Sequence, residues 1–272
     1  MVGDTGSPGS AAAGLSASVG AAYDQAAPGW DNGPGRLYAD LATALMVQPD
    51  VPVPGSRVLD LGAGTGIAGT AALAAGAARV VAADIAPGML RYCPPALRPV
   101  AADATALPFA DRSFDLAVAA FCLGHLPDIP ACLAEVRRVC GSVAASAFAP
   151  GWAHPAKQAV DEVLADAGFR PPDWYQTFKR QTEPRGADAA GMLRQLAAAG
   201  FTGARARTVL VRTQVSAPPE LASWRLGMAH VAPWVASLSA ARQAALRQAA
   251  RTAAARAGGG PLRVSMLVLT AS

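Results

Sequence analysis

Short apolar runs alternate with Ala-rich stretches of helical length through the first half of the chain. Arg57–Leu61 is apolar but for Arg57 and Asp60, and leads through a glycine loop into an Ala-rich helix ending near Gly76. Val80–Asp84 predicts a second strand, followed by a helix from about Ala86 to Tyr92 that Pro94-Pro95 stops. Pro99–Ala102, Phe114–Ala120 and Gly141–Phe148 predict three more strands, with a helix over Pro130–Val139 between the last two. Strands that are apolar throughout, interleaved with helices, predict a mostly parallel sheet covered on both faces.

The flanks read differently. Residues 1–19 are rich in Gly, Ser and Ala and predict a disordered tail. Helical spacing begins near Val19 and carries Tyr23, Trp30, Leu37, Leu41 and Leu45. Pro28 and the Asn32-Gly33-Pro34 cluster predict a break into at least two short helices, which would cap the core over residues 20–50. A core then spans 51–150 and a lid segment 151–186. In that segment 170–186, with Pro171-Pro172, Trp174, Tyr175 and Phe178, reads as irregular cover. Helices over Ala156–Ala167, Ala187–Ala199 and Ser239–Ala255 and strands over Arg205–Val215 and Leu262–Thr270 follow. Residues 187–272 thus complete the core, with a lid insertion at about 216–260. The class is α/β: a doubly wound seven-stranded sheet whose last strand is antiparallel, under a helical cap.

Composition narrows the function. The 272 residues are 52% hydrophobic, enough for one large domain. The net charge of +4 comes from Arg scattered along the chain, with Lys157 and Lys179 the only lysines, so no basic stripe for nucleic acid forms. Cys93, Cys122, Cys132 and Cys140 form no CxxC pair and read as reduced thiols. Neither a signal peptide nor an apolar run of membrane-spanning length is visible, so a cytoplasmic protein without a membrane partner is expected, as a monomer or homodimer. No metal-ligand spacing appears.

The chemistry gathers at Val58–Gly66, VLDLGAGTG. An apolar strand runs into Gly62, Ala63, Gly64 and Gly66 and then a helix, a loop that lets backbone approach a ligand closely. In a parallel sheet this places the ligand at the carboxyl ends of the strands. Two classes remain open on this motif alone. Gly64-x-Gly66-x-x-Gly69 also satisfies the dinucleotide fingerprint of an NAD(P)-dependent oxidoreductase, and Asp84 stands where a ribose-binding acid belongs in either class.

Three features favour one class: Asp60 before the glycines, Asp103 at the end of the third strand in AADATALPF, and SFDLAVAAFCLGHLPD over Ser113–Asp128. With them the chain resembles the class I S-adenosylmethionine-dependent methyltransferases, in particular the quinone-biosynthesis-like small-molecule branch, most strongly over 57–148. The resemblance implies S-adenosylmethionine as cofactor, a Rossmann-like methyltransferase fold and methyl transfer to a small metabolite; the high-GC bacterial origin suggested by the Ala-, Gly-, Pro- and Arg-rich composition adds the expectation of secondary metabolism. Gly62–Gly66 would pass against the methionine part, with Asp60 fixing the loop and the amino group. Asp84 would hold the ribose hydroxyls, Ile85 and Met89 would flank the adenine, and Asp103 with the N–H of Ala104 would bind its edge. Phe121 would lie near the amino end of the cofactor. AAYDQAAPGWD resembles the family's Tyr-Asp cap and would bring Tyr23 to the carboxylate. The family's Pro-Gly-Gly turn before the fifth strand is missing, since Arg137-Arg138-Val139-Cys140 runs straight into Gly141-Ser142. A member of this fold that binds the cofactor but catalyses a cyclisation is the second alternative.

Methyl transfer needs alignment first and a base only where the acceptor loses a proton. His125 follows the fourth strand and His154 the fifth, which makes them the candidate bases; His230 falls in the lid insertion. Trp174, Tyr175, Phe178, Trp224, Met228 and Trp234 suggest an apolar or aromatic acceptor.

Overall fold

Parallel strands form the larger part of one sheet: β1 (Arg57–Leu61), β2 (Arg79–Asp84), β3 (Val100–Ala101), β4 (Phe114–Ala120) and β5 (Cys140–Phe148), joined by β6 (Arg205–Arg212) and β7 (Arg263–Ala271). The computed structural model describes residues 8–258 and 260–272, with side chains from Gly14 onward. The strand order is β3-β2-β1-β4-β5-β7-β6. The first five pair in parallel, and β7 runs antiparallel to both β5 and β6, as the sequence predicts. The chain lays down β1, β2 and β3 outward and then returns past β1 to β4. Such a reversal opens a crevice at the carboxyl ends of β1 and β4.

The helices are α1 (Pro8–Trp30), α2 (Pro34–Met46), α3 (Ile67–Ala74), α4 (Pro87–Leu90), α5 (Ile129–Val139) and α6 (Pro155–Asp166). After them come α7 (Asp173–Thr177), α8 (Glu183–Ala187), α9 (Ala189–Ala198), α10 (Pro218–Leu226), α11 (Ala232–Ser237) and α12 (Ala240–Ala257). Side chains alternate across each strand, so the sheet has two apolar faces. Val58, Leu116, Val118, Ala144 and Met266 pack with α2, α3, α6, α10 and α12. Leu59, Leu61, Ala117, Ala145 and Leu269 pack with α5 and α9. The missing turn before β5 is real: α5 ends at Val139 and β5 begins at Cys140. Arg138 there binds Glu135 and Asp111 and donates to the carbonyls of Leu107 and Phe109, fastening the β3–β4 loop to α5.

Several expectations need correction. Of the tail expected over 1–19, residues 1–7 lie outside the described residues, while 8–19 belong to α1. Pro8 suits a helix start because its missing N–H needs no partner there, and the Ala run that follows has the highest helix propensity. Pro28 does not break α1. It sits in the last turn, where one backbone bond is lost, and the break falls at residues 31–33. Segment 170–186 is helical rather than irregular: α7 passes through a π-helical turn, Phe178–Thr182, into α8. Pro172 precedes the first helical residue, so Pro171-Pro172 starts this segment instead of disrupting it.

Two covers turn out to be core. Within the expected lid insertion, α12 packs against α6 and α10 and buries Leu246, Ala250 and Ala254. Within the expected cap, α2 buries Leu37, Leu41 and Leu45 completely against α3 and the sheet. Leu41→Ala should therefore cost about 2–5 kcal/mol of global stability, as large-to-small core changes do. Denaturant titration checks this; a loss under about 1 kcal/mol, the scale of a surface change, would mark α2 as a detachable cap.

Candidate functional site

Glycines set the shape of the crevice. Gly62, Gly64 and Gly66 have φ of 66°, 56° and 83°, in the left-handed region that other residues enter at a cost. Gly62 and Gly64 line a cavity of about 160 Å³ with Ala63 between them. At Gly62 a Cβ would stand 2.5 Å from that of Cys122, so this loop lies hard against the end of β4. Gly66 is different. It does not line the cavity, and a Cβ there would meet Leu97 at 2.5 Å and Cys93 at 2.7 Å. Its lack of a side chain serves packing within the protein, which corrects its assignment to the ligand.

Asp60 is corrected in the same way. It is 1% exposed, is absent from the cavity wall, and its Oδ2 accepts a 2.6 Å bond from the Gly69 N–H at the start of α3. Asp60 alternates onto the α3 side of the sheet, away from the cavity wall. Burial pushes its carboxyl up to about 7, opposed by the Gly69 bond. Asp60 fixes the start of α3 behind the loop and stands outside the cavity wall.

The other strand-end residues do converge. Asp84 ends β2 in the cavity wall, its Oδ2 accepting from Gly64 N–H at 2.7 Å and its Oδ1 from Ala86 N–H at 2.8 Å. Burial raises its carboxyl above the usual range, with both N–H bonds acting against that. A carboxylate accepts about four bonds, so roughly two lone-pair sites remain for a ligand. Ile85 and Met89 line the same wall, as do Asp103 and Ala104. Asp103 Oδ1 accepts from the N–H and hydroxyl of Thr105, while its Oδ2 has no protein partner among the described residues. Phe121, at φ 57° just past β4, donates its N–H to the Ser146 carbonyl, lines the cavity, and packs its ring against Tyr38 and Phe148.

Helix α1 closes this cavity from above, with Val19, Gly20 and Tyr23 in the wall. Three contacts hold it there. Asp24 Oδ1 accepts from the Gly88 N–H at 2.6 Å, Asp31 Oδ1 accepts from the Thr65 hydroxyl at 2.7 Å, and the Tyr23 hydroxyl meets His125 Nε2 at 3.2 Å. The sequence reading found Tyr23 but missed Asp24, Asp31 and Thr65. The signal was present in the segment Tyr23–Asp31, where Asp24 lies in the last turns of α1 and Asp31 just past its end, but their partners are far along the chain.

A second cavity, of about 580 Å³, adjoins the first. Tyr23, Tyr38, Phe121 and His125 line both. Its walls are aromatic: Phe121 packs on Phe148, Phe148 stacks on Trp152, and Tyr175 stacks on His230 at 3.6 Å between centroids. The π-helical turn aims Phe178 flat onto His125, 4.2 Å away. Of the expected aromatic set, Trp174, Tyr175, Phe178, Trp224 and Met228 line this cavity. Trp234 does not; it packs against Phe169 at 5.3 Å. Tyr38, missed in the sequence, looked like one more core residue on the Leu37–Leu41 helix.

The histidines separate. His125 is half-buried at the junction, with desolvation pushing its ring down to about 4, so it is neutral near pH 7. His154 is not brought to either cavity. It caps α6, its Nδ1 accepting from the Ala156 N–H at 3.2 Å, and its assignment as a base is withdrawn. Among the described residues no cluster of His, Cys, Asp and Glu is arranged to hold a metal, and no helix is long and apolar enough to cross a membrane.

Comparison with known proteins agrees with this geometry. Residues 59–143 match the family model described as a methyltransferase domain. The chain is 37% identical over 172 residues to a demethylmenaquinone methyltransferase of Mycobacterium sp. (strain KMS), covering 57% of this chain and 72% of that protein. A counterpart from Corynebacterium kroppenstedtii is 45% identical over a shorter 89 residues, 32% of this chain and 38% of that protein. In fold it resembles a protein assigned to the methyltransferases of an antibiotic biosynthesis pathway in Anabaena variabilis, with TM-score 0.58, 14% identity and 85% and 96% of the two chains covered. It also resembles the [4+2]-cyclase SpnF, with TM-score 0.50, 19% identity and 85% and 80% covered. The family match resolves the double reading of the glycine loop against a nicotinamide-dependent oxidoreductase. With a glycine loop and strand-end carboxylates around one cavity, an aromatic cavity beside it, and these relatives, the chain belongs to the class I S-adenosylmethionine-dependent methyltransferases and acts on a small molecule.

Proposed function

We propose that this chain holds S-adenosylmethionine in the cavity over the glycine loop and methylates an apolar or aromatic acceptor in the cavity beside it. The observation that carries this reading is the junction. Two adjoining cavities, one edged with the Asp84 and Asp103 carboxylates and the backbone of the glycine loop and one walled largely with aromatic rings, share Tyr23, Tyr38, Phe121 and His125. The donor set fits the cofactor. Gly62, Ala63 and Gly64 offer close backbone to its amino-acid part, and Asp84 retains acceptor sites for ribose hydroxyls. Asp103 Oδ2 and the Ala104 backbone suit the edge of the adenine, with Ile85 and Met89 on its faces. Bound there, the cofactor supplies a methyl group made electrophilic by the sulfonium. A volume of about 580 Å³ lies in the usual range for a small-molecule site. We further read the protein as cytoplasmic, a monomer or homodimer with no nucleic-acid partner, which its four free cysteines and dispersed arginines support.

The residues at the junction hold and orient the acceptor. A base is most effective with a pKa near the working pH, and His125 at about 4 lies well below neutrality. We read it as a positioning residue that keeps Tyr23 and Phe178 in place at the junction. Alignment then carries most of the acceleration. Methyl-labelled cofactor incubated with small aromatic acceptors tests the reading: label transfer supports it, while turnover of an acceptor without transfer supports a cyclisation on the same fold.

Asp84→Ala should weaken binding of S-adenosylhomocysteine by at least about tenfold, because the hydroxyls lose an acceptor and Gly64 N–H loses its own. Calorimetry on the folded variant reads this out, and unchanged affinity would refute the ribose assignment. His125→Gln, which keeps an acceptor for Tyr23, should hold turnover within about threefold of wild type, against the 10²–10⁴ lost with a general base. The same variant tests a stability effect. A histidine at about 4 when folded titrates at 6.5 when unfolded, so the unfolded chain binds the proton first as pH falls. His125 stability is present above pH 6.5 and is lost on acidification towards 4, in total on the order of 3 kcal/mol. Denaturation midpoints measured from pH 7 to 4 should fall less steeply in His125→Gln than in wild type; equal slopes would place the histidine in a solvated setting.

A further inference from the structure

Every residue that lines both cavities carries a ring: Tyr23, Tyr38, Phe121 and His125. The charged side chains keep to one wall each, Asp84 and Asp103 in the first cavity and Lys157, Lys179, Glu183 and Asp188 in the second. Desolvation raises the phenols of Tyr23 and Tyr38 well above their ordinary range, so both stay protonated, and His125 at about 4 is neutral near pH 7. The passage between the cavities is thus a collar of four rings without a formal charge.

A second layer of rings holds the collar from outside. Tyr38 stacks on Trp30, 5.7 Å between centroids and 10° between planes, and Tyr23 packs on Trp30 at 5.4 Å. Phe121 leans on Phe148 at 4.8 Å, and His125 lies flat on Phe178 at 4.2 Å. Within the collar Tyr38 meets Phe121 edge to face at 5.3 Å, and Tyr23 meets His125 the same way at 5.6 Å. Rings wedged in this manner cannot turn away without displacing a neighbour. The collar is therefore preformed and needs little reorganisation to receive a ligand.

What the collar meets follows from the reaction. A methyl group that leaves a cofactor in the first cavity for an acceptor in the second crosses this passage, so the sulfonium bonded to it stands at the rings. That sulfonium is a cation, and ring faces attract cations, more strongly where water is displaced. Transfer cancels the charge: the nucleophile bonds to the methyl carbon, the C–S electron pair returns to sulfur, and a neutral thioether is left. We propose, on the reading of the first cavity as the cofactor site, that Tyr23, Tyr38 and Phe121 are specificity-determining residues that select the methylated, cationic cofactor over its neutral thioether product. Asp84 and Asp103 meet the nucleoside, which the two forms share, and so hold both. The collar separates them, and loss of the charge on transfer favours exchange of the product for fresh cofactor.

Calorimetry without an acceptor tests this with S-adenosylmethionine, S-adenosylhomocysteine and sinefungin, in which an ammonium-bearing carbon replaces the sulfonium. Wild type should bind both cations at least about fivefold more tightly than S-adenosylhomocysteine, the scale of one cation–π contact. Tyr38→Phe, which keeps the ring and loses the hydroxyl, should retain that ratio. Tyr38→Leu and Phe121→Leu should each lower it at least about threefold by weakening the cations alone, with unchanged S-adenosylhomocysteine affinity reporting that they fold. Equal or tighter binding of S-adenosylhomocysteine by wild type would overturn the selection and leave the cofactor site standing, whether or not a leucine variant folds. A preference kept in both leucine variants would assign it to the carboxylates, and one lost in Tyr38→Phe would assign it to the hydroxyl; either result overturns the collar. Failure of wild type to bind any of the three would overturn the cofactor reading and the collar with it.

Discussion

A single bond from the Gly69 N–H to the carboxyl group of Asp60 underlies the cavity over the glycine loop. Asp60 stands in β1 among residues that are apolar on every side, and burying a carboxyl there is unfavourable unless a donor meets it. That donor is a backbone N–H of the first turn of α3, where helices have unpaired donors to offer. The bond fixes where α3 begins relative to the strand, and the Gly62–Gly66 loop is what must span the gap. Asp84 repeats the device from the neighbouring strand, taking the N–H of Gly64. Two carboxylates thus hold one loop from two strands, and the loop presents its backbone to the crevice.

Helix α1 is the second consequence. Its own packing is made of small side chains, Ala22, Ala26 and Ala27, with Trp30 the largest. Small contacts give limited hydrophobic stabilisation. What locates the helix is polar: Asp24 on α4, Asp31 on the glycine loop and Tyr23 on His125. All three partners lie at or next to the wall of the first cavity. Cap position and loop geometry are therefore coupled, and His125 extends that coupling through Phe178 to the wall of the second cavity.

The two cavities divide the chemistry. The first is made of strand ends and differs little from what any doubly wound sheet offers at its switch point. The second is made of residues from α2, β5, the π-helical turn and α10, and its character is that of the individual side chains. General features of the fold explain the first cavity; the particular rings of this chain explain the second.

The strands, their order of appearance and the cofactor class were legible in the sequence because short buried apolar runs and a glycine loop are local signals. Asp84, Asp103, Gly62 and Gly64 fall at the crevice because a strand end has a defined place in a parallel sheet. Gly66, Asp60 and His154 could not be sorted the same way. Whether a glycine meets a ligand or Leu97, and whether a histidine faces a cavity or caps its own helix, depends on atoms distant in sequence. Residues 8–19 were misread because a Gly/Ser/Ala composition reads as a tail, whereas the segment continues the helix whose later turns, Asp24 to Trp30, are held against the fold. Tertiary structure likewise decided that Trp224 faces the second cavity while Trp234 packs against Phe169, since nothing in their neighbouring residues distinguishes an aromatic ring lining a cavity from one filling a core.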